Sequence, residues 1–366
     1  MKNALVLLLI VMCSVWLVWI KLNSVSAVES RKPTPSTTNS PASKPKNERE
    51  AYQSLAALIR VFESDLSLDH LIPINAALGT ELPRLSMADR YRIYQQLQQA
   101  LQAYTNRLNR QQSDLIERYT ELQAQLWQQV YTQNTAQTEP SADPLNSQII
   151  ADTAPDLAAE QAAQAVSDQA AQQRFDQQWP QTLQQGLSAK QQQLLEALTK
   201  QQIEVLYFGE GIYEFWLNPN YWLKQVAPHL TKADQVYLKQ AAEQEQQPYA
   251  YDAGLVVSWQ VLGERVQIWE QYLKNYPKSY FVDDAQRKHD AYLEYVLTGM
   301  DNTPSHEQGV LLPEVKAAYA QLIVQYPNSR LSKTLQLFEQ QLADNPSDVP
   351  AAARRAMALA KDQISD

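Results

Sequence analysis

The stretches "QYLKNYPKSY" (Gln271–Tyr280) and "QLIVQYPNSR" (Gln321–Arg330) carry the same pattern fifty residues apart: Tyr-Pro-x-Ser behind an amphipathic run. The same shift brings Trp269 onto Tyr319, Leu273 onto Ile323 and Phe281 onto Leu331. A physical reading follows for both copies. A helix closes with an aromatic residue on its buried face. Proline stops it, because the residue before proline avoids the helical region. The serine hydroxyl then caps the next helix. Tyr276, Pro277 and Ser279, and likewise Tyr326, Pro327 and Ser329, are therefore read as structural joints, each inside a helix–turn–helix. Asn345-Pro346-Ser347 is a third, weaker joint before the helix "PAAARRAMALAKD".

Upstream of the first joint, Trp259, Leu262, Val266, Trp269 and Leu273 form a helical stripe. Before it, "IEVLYFGEGIYEFWLN" (203–218) is β-branched and aromatic around Gly209-Glu210-Gly211. It reads as a β-hairpin, the only one in the chain. Asn218-Pro219, Thr231-Lys232-Ala233-Asp234 and Ser86-Met87-Ala88-Asp89 are helix-start signals. From Tyr94 to Val130 apolar residues recur at steps of three and four, with one polar slip at Gln111. That predicts a long helical hairpin arm or coiled coil, or a long helix docked on its own domain. "TAQTEPSADPLNSQIIADTAPD" reads as a linker, and the Ala/Gln-rich run after it has almost no large apolar side chain, so 135–173 is expected to be mobile.

Composition agrees with a mostly helical chain. Of 366 residues 45% are hydrophobic, enough for a core, while only 8 are glycine, too few for a chain rich in tight turns and phosphate loops. The net charge of −9, with no basic run outside the N-terminal flank, excludes backbone-type nucleic-acid binding. A single cysteine, Cys13, excludes internal disulfides and thiolate metal clusters.

The N-terminus sets the compartment. Ala4–Ile20 is an apolar run of 17 residues behind Lys2, with small residues at Val25-Ser26-Ala27. Residues 1–27 are a signal anchor or a cleaved signal peptide; if uncleaved, residues 4–20 hold the chain in a membrane. Cys13 follows Met12 and precedes further apolar residues, so it reads as one more apolar side chain rather than a lipidation site. Residues 28–48, rich in Pro, Ser, Thr and Lys, form a disordered spacer. This order places the body outside the cytoplasm. A bacterial envelope is the simplest setting: anchored in the inner membrane facing the periplasm, or secreted to the periplasm. The body divides into a helical arm (49–134), the Ala/Gln-rich linker (135–173) and a C-terminal domain (174–366).

The joints resemble the tetratricopeptide-like repeats of bacterial envelope proteins, over residues 258–345. Ala285 stands where the packing alanine is expected in the first copy; the second has Leu335. The spacing of fifty exceeds the roughly thirty-four of such repeats; the excess is "TGMDNTPSHEQGVLLPE", an insertion between helix pairs. The resemblance implies a mostly α fold, a long helical arm plus a C-terminal α-solenoid with one short β-hairpin. It implies a partner protein or peptide and no catalytic residue. The wider block 203–345, with "GEG", "DAGL" and "GMDNTP", resembles an uncharacterised extracytoplasmic domain.

Signals for chemistry are sparse. His70, His229, His289 and His306 show no metal-ligand spacing, and neither a metal nor another cofactor is expected. His289-Asp290 reads as a structural pair. Glu63-Ser64 is similar to the catalytic pair of lytic transglycosylases, but that family's further motifs are missing. Glu204, Glu210, Glu214 and Asp252 carry carboxylates that a sugar-cleaving site would need in pairs. Tyr207, Tyr213, Trp216, Tyr221 and Trp222, together with Phe208, are the candidate ligand-binding face on and beside the hairpin. Two functions follow: a non-catalytic envelope scaffold or adaptor binding a protein or peptide, or a glycan- or cell-wall-binding module, with or without hydrolysis, built on the aromatic hairpin. Oligomeric state is not encoded in any of these signals.

Overall fold

The computed structural model describes residues 46–138, 157–208 and 212–362. The expected anchor or signal peptide, Cys13, the spacer up to residue 45 and the Gly209-Glu210-Gly211 turn lie outside the described residues. Among the described residues there are thirteen α-helices and four small antiparallel strand pairs, and no helix is long and apolar enough to cross a membrane. The chain is mostly α, as its composition predicts. Its described residues divide into two compact units, one within Glu50–Gln246 and one from Gln247 onward. The boundary falls inside the span 174–366 that the sequence suggested as one body.

In the first unit, α1 (Lys46–Asp65) and α2 (Leu68–Glu81) precede α3 (Met87–Gln111) and α4 (Ser113–Thr138). The long stripe is thus two helices. The break is at Gln112 (φ −114°, ψ 31°), immediately after the polar slip at Gln111, where no apolar side chain pulls the helix onward. The partner of α4 is α5 (Leu157–Gly186). Leu126 and Val130 of α4 bury against Ala171 and Phe175 of α5. Near the other end Leu122 fills the space a Cβ would need at Gly186, 2.3 Å away. Residues 157–173 are therefore the start of a helix rather than part of a mobile linker: alanine's helix propensity forms the helix, and Ala171, fully buried, gives it a contact. Residues 139–156 are outside the described residues.

Next come α6 (Ala189–Lys200), capped by a Ser188/Gln191 capping box, the strands β1 (Ile203–Tyr207) and β2 (Tyr213–Leu217), and the helices α7 (Asn220–Gln225) and α8 (Lys232–Gln246). The hairpin register runs from Ile203↔Leu217 to Tyr207↔Tyr213. Side chains from α2 and α3 hold this segment. Asn109 accepts from Phe215 N at 2.6 Å and donates to its carbonyl, so an amide takes the place of a neighbouring strand. Arg90 Nη1 donates to the His229 carbonyl at 2.6 Å, and Tyr91 Oη to the buried Asp234 carboxylate. The Asp234 carboxylate in turn accepts from the Thr231 hydroxyl, which caps α8 by accepting from Asp234 N at 3.3 Å. These bonds make 203–246 part of the α3 unit and explain where the unit boundary lies.

The second unit begins with the strand pair β3 (Ala250–Tyr251) and β4 (Gly254–Leu255) and the antiparallel helices α9 (Trp259–Asn275) and α10 (Val282–Thr298). The insertion folds into two more minimal ribbons, β5 (Gly299–Met300) with β6 (Thr303–Pro304), and β7 (His306–Glu307) with β8 (Val310–Leu311). Helices α11 (Pro313–Gln325), α12 (Arg330–Asp344) and α13 (Val349–Asp362) complete it. The 203–218 hairpin is thus not the only one. Each extra ribbon has two residues per strand, too short for an alternating sequence pattern to show.

The two joints are the same shape. Tyr276 and Tyr326 end their helices at φ −132°, ψ 53° and φ −127°, ψ 56°. In each, the serine N–H donates to the tyrosine carbonyl at 3.0 Å. Two details differ from expectation. The tyrosines are only half-buried; the buried anchors stand one turn earlier, at Tyr272 and Leu322. The residue before proline has already left the helical conformation, and Tyr276 covers the buried Tyr272 from outside, ring centroids 5.2 Å apart. Ser329 caps α12 by accepting from Ser332 N at 3.0 Å, but Ser279 does not cap α10, whose N-cap is Phe281. Its hydroxyl instead accepts from Phe281 N at 3.0 Å, one step before the helix starts.

Candidate functional site

The ribbon β1–β2 has an inward and an outward face, because side chains alternate along a strand. Ile203, Tyr213 and Phe215 point inward and are buried. Tyr213 is therefore core rather than binding surface. Burial raises its phenol pKa well above the ordinary value, and its hydroxyl has no hydrogen-bond partner among the described residues. Tyr207 pairs with it across the strands, ring centroids 5.1 Å apart, but is 42% exposed at the ribbon's end.

Tyr221 also leaves the candidate surface. It is fully buried, donates to Asn75 Oδ1 at 2.6 Å and meets Trp222 edge-on at 5.1 Å. Asn75 Nδ2 donates to Gln201 at 2.7 Å, so the α2 asparagine ties both ends of the hairpin segment together. Trp222 is half-buried and packs its edge against Tyr94 of α3 at 4.8 Å. Both aromatics serve helix packing, where edge-to-face pairs contribute roughly 0.5–1.5 kcal/mol beyond their buried area.

What remains is the outward face. Glu204 stands opposite Trp216, and Leu206 opposite Glu214. Phe208 meets Trp216 in a T-shaped pair at 5.6 Å; both are half-buried. Leu206 and Ile212 are 37% and 41% exposed. The two carboxylates occupy diagonal cross-strand positions, about 7–8 Å apart at the backbone. Their settings differ. Glu204 accepts from Asn218 Nδ2 at 3.1 Å, whereas burial lifts the Glu214 carboxyl above its ordinary value. Glu210 lies outside the described residues. Asp252 belongs to the other unit, in the two-residue turn between β3 and β4.

That turn is part of a second candidate. Asn302 N donates to the Ala253 carbonyl at 2.9 Å, and Leu255 N to Thr303 Oγ1 at 3.0 Å. The "DAGL" and "GMDNTP" stretches therefore dock on each other. The bonds hold Asp252 and Ala253 at positive φ (48° and 52°), a region that non-glycine residues rarely adopt. Beyond them His306, Gln308 and Gly309 face Pro346, Ser347 and Val349 across an open depression of about 430 Å³. Burial lowers the His306 pKa. Asn345-Pro346-Ser347, a joint in the sequence reading, is thus also one wall of this depression.

The remaining chemistry-bearing residues have structural positions. His289 is buried, with Nδ1 2.8 Å from Asp290 Oδ1. His70 Nδ1 contacts the exposed Asp65 at 2.9 Å. Ser64 bonds back to the Val61 carbonyl and, like Glu63, is exposed on α1. No group of three or more metal-ligating side chains occurs among the described residues.

A further surface was not singled out by sequence. On α9, Val261 and Ile268 are exposed (38% and 37%) two turns apart on one face. Val324 of α11 is 80% exposed, but two positions on from Leu322, which packs on Gly263 of α9, it faces away from that helix. The signal was present as apolar residues at i and i+7 off the buried stripe of α9, but exposure becomes visible only once the buried face is known. Compared with known proteins, the chain matches no family model, no curated protein and no solved structure.

Proposed function

We propose that this chain is a bacterial-envelope scaffold or adaptor, anchored in the inner membrane facing the periplasm or released into the periplasm. It binds a partner protein or peptide through the unit 247–366 and catalyses no reaction. The observation that supports this reading is the exposed apolar pair Val261 and Ile268 on one face of α9, within a helix-pair scaffold. Exposed apolar groups that gather on one face mark sites of protein contact. The helix pairs supply a stiff platform, and this face of α9 supplies the apolar surface an amphipathic partner segment would cover. The tetratricopeptide-like resemblance of the joints points the same way.

A photo-cross-linking residue placed at Val261 tests it in the cells that express the protein. One discrete adduct is expected, and it should vanish in an Ile268→Glu variant that keeps its thermal midpoint. A Val261 yield no higher than that of an exposed polar position such as Gln336 would overturn the reading.

A second reading has its own observation: the outward hairpin face, with Trp216, Phe208 and two carboxylates in unlike settings. This is a surface for glycan or cell-wall contact. Co-sedimentation with purified cell wall, lost on Trp216→Ala, selects this reading over the first.

A further inference from the structure

Unit Glu50–Gln246 contains an unbroken run of aromatic rings that none of these surfaces uses. Trp127 of α4 and Phe175 of α5 stack with centroids 4.3 Å apart. Phe175 lies 5.4 Å from Trp179, and Trp179 stands edge-on to Tyr119 at 4.9 Å. Trp179 Nε1–H donates to Tyr119 Oη at 3.3 Å. Tyr119 reaches Tyr213 at 5.1 Å, and Tyr213 reaches Tyr207 at 5.1 Å. At the other end Tyr131 lies 5.5 Å from Trp127. Packing explains each contact singly. It does not explain the order. The indoles stand inside the run, and an exposed phenol stands outward of them on each side: Tyr207 at 42% and Tyr131 at 48%.

Indole and phenol are the two side-chain rings that give up one electron most readily. At neutral pH the neutral phenoxyl radical is the more stable of the two radicals, so an electron hole on an indole runs downhill to a phenol. We propose that this run is a relay that carries an oxidising equivalent from Trp127 and Trp179 outward to surface tyrosine, chiefly Tyr207.

The balance closes with a one-electron oxidant from solution. The oxidant takes one electron from Trp179 and is reduced; the half-buried indole loses its Nε1 proton to solvent. The bare nitrogen then faces Tyr119 Oη, and takes back one electron and the phenolic proton across that contact. Tyr119 recovers its electron from Tyr207 through the Tyr213 ring, and a proton from water. Tyr207 gives its own phenolic proton to water and remains as the phenoxyl radical, exposed to any one-electron donor such as a thiol. Tyr213 acts as a bridge and not as a stop, because its buried hydroxyl has no partner to receive a proton.

The test uses the full chain and azidyl radical, a one-electron oxidant reduced to azide, with a spin trap and peptide mapping of the adducts. In the wild-type protein adducts are expected on Tyr207, with an indolyl absorption that decays at a rate independent of protein concentration. Tyr119→Phe keeps the ring and its packing but removes the oxidisable phenol. It is expected to lower labelling at Tyr207 and raise it at Trp179. Trp179→Phe should lower Tyr207 labelling as well. Tyr207 labelling unchanged in both variants means that it is oxidised directly from solvent, and overturns the relay.

Discussion

At the residue scale, two glycines separate local strain from free space. Gly309 closes the turn between β7 and β8 at φ +78°, and a Cβ there would stand 2.2 Å from the Pro346 carbonyl oxygen. Backbone cannot swing aside as a side-chain end can, so Gly309→Ala meets both an unfavourable φ and a clash. It is expected to cost at least about 1–3 kcal/mol, read as a lower denaturation midpoint. Gly79 sits in α2 with nothing within 4 Å of its would-be Cβ. There Gly79→Ala should stabilise by about 0.5–1 kcal/mol, the helix-interior difference between the two residues. Sequence alone shows two glycines; only the neighbour at 346 makes one of them indispensable. The same holds for the candidate site. Tyr207, Tyr213, Trp216, Tyr221 and Trp222 are equally aromatic in the sequence. Burial, which depends on α2, α3 and α4, sorts Tyr213 and Tyr221 into the core.

At the element scale, the start of α12 shows how one helix pair is fastened to the other. Ser329 caps it through Ser332 N. Glu270, projecting from α9, accepts from Arg330 N at 2.8 Å and from Leu331 N at 3.0 Å. The orphan N–H groups of a helix start are thus shared between a local cap and a carboxylate from another helix, which also suits the positive end of the helix dipole. Ser329→Ala should cost about 1 kcal/mol. Ser329→Thr should recover most of this, while Ser329→Asp should not, although aspartate is ordinarily a good cap: it would set a second carboxylate beside Glu270. Thermal unfolding of the three variants checks the order, and equal stability of the Asp and Thr variants would discard the Glu270 argument. The serine was legible from Tyr-Pro-x-Ser, because capping is local. Glu270 was not, because its partner lies sixty residues away. The hairpin at 203–218 was legible for the same reason as the joints, whereas ribbons of two-residue strands give alternation no room to appear.

At the scale of the whole molecule, the helical class was open to reading from composition and stripe period, but the unit boundary between Gln246 and Gln247 was not. It depends on which distant helices bond to 203–246, and Arg90, Tyr91 and Asn109 look like ordinary surface residues of α3 until those bonds are seen. Stability of the folded chain against acid follows from the same kind of long-range placement. Burial pushes the Asp290 carboxyl up, yet hydrogen bonds from His289 and Gln286, with the charges of His289 and Arg330, outweigh it and hold its pKa below the ordinary 3.8. The folded state therefore binds that proton less readily than the unfolded chain. The stabilisation is fully present above the unfolded value and is lost as pH falls through the lower folded value. Asp290 is 44% exposed, so solvent screening limits the effect to less than about 1 kcal/mol. Asp290→Asn removes the carboxylate at every pH. Its stability deficit against wild type should shrink as pH falls through the ordinary carboxyl range. Urea unfolding across that range reads the difference directly, and a deficit that grows within it would reverse the sign argued here.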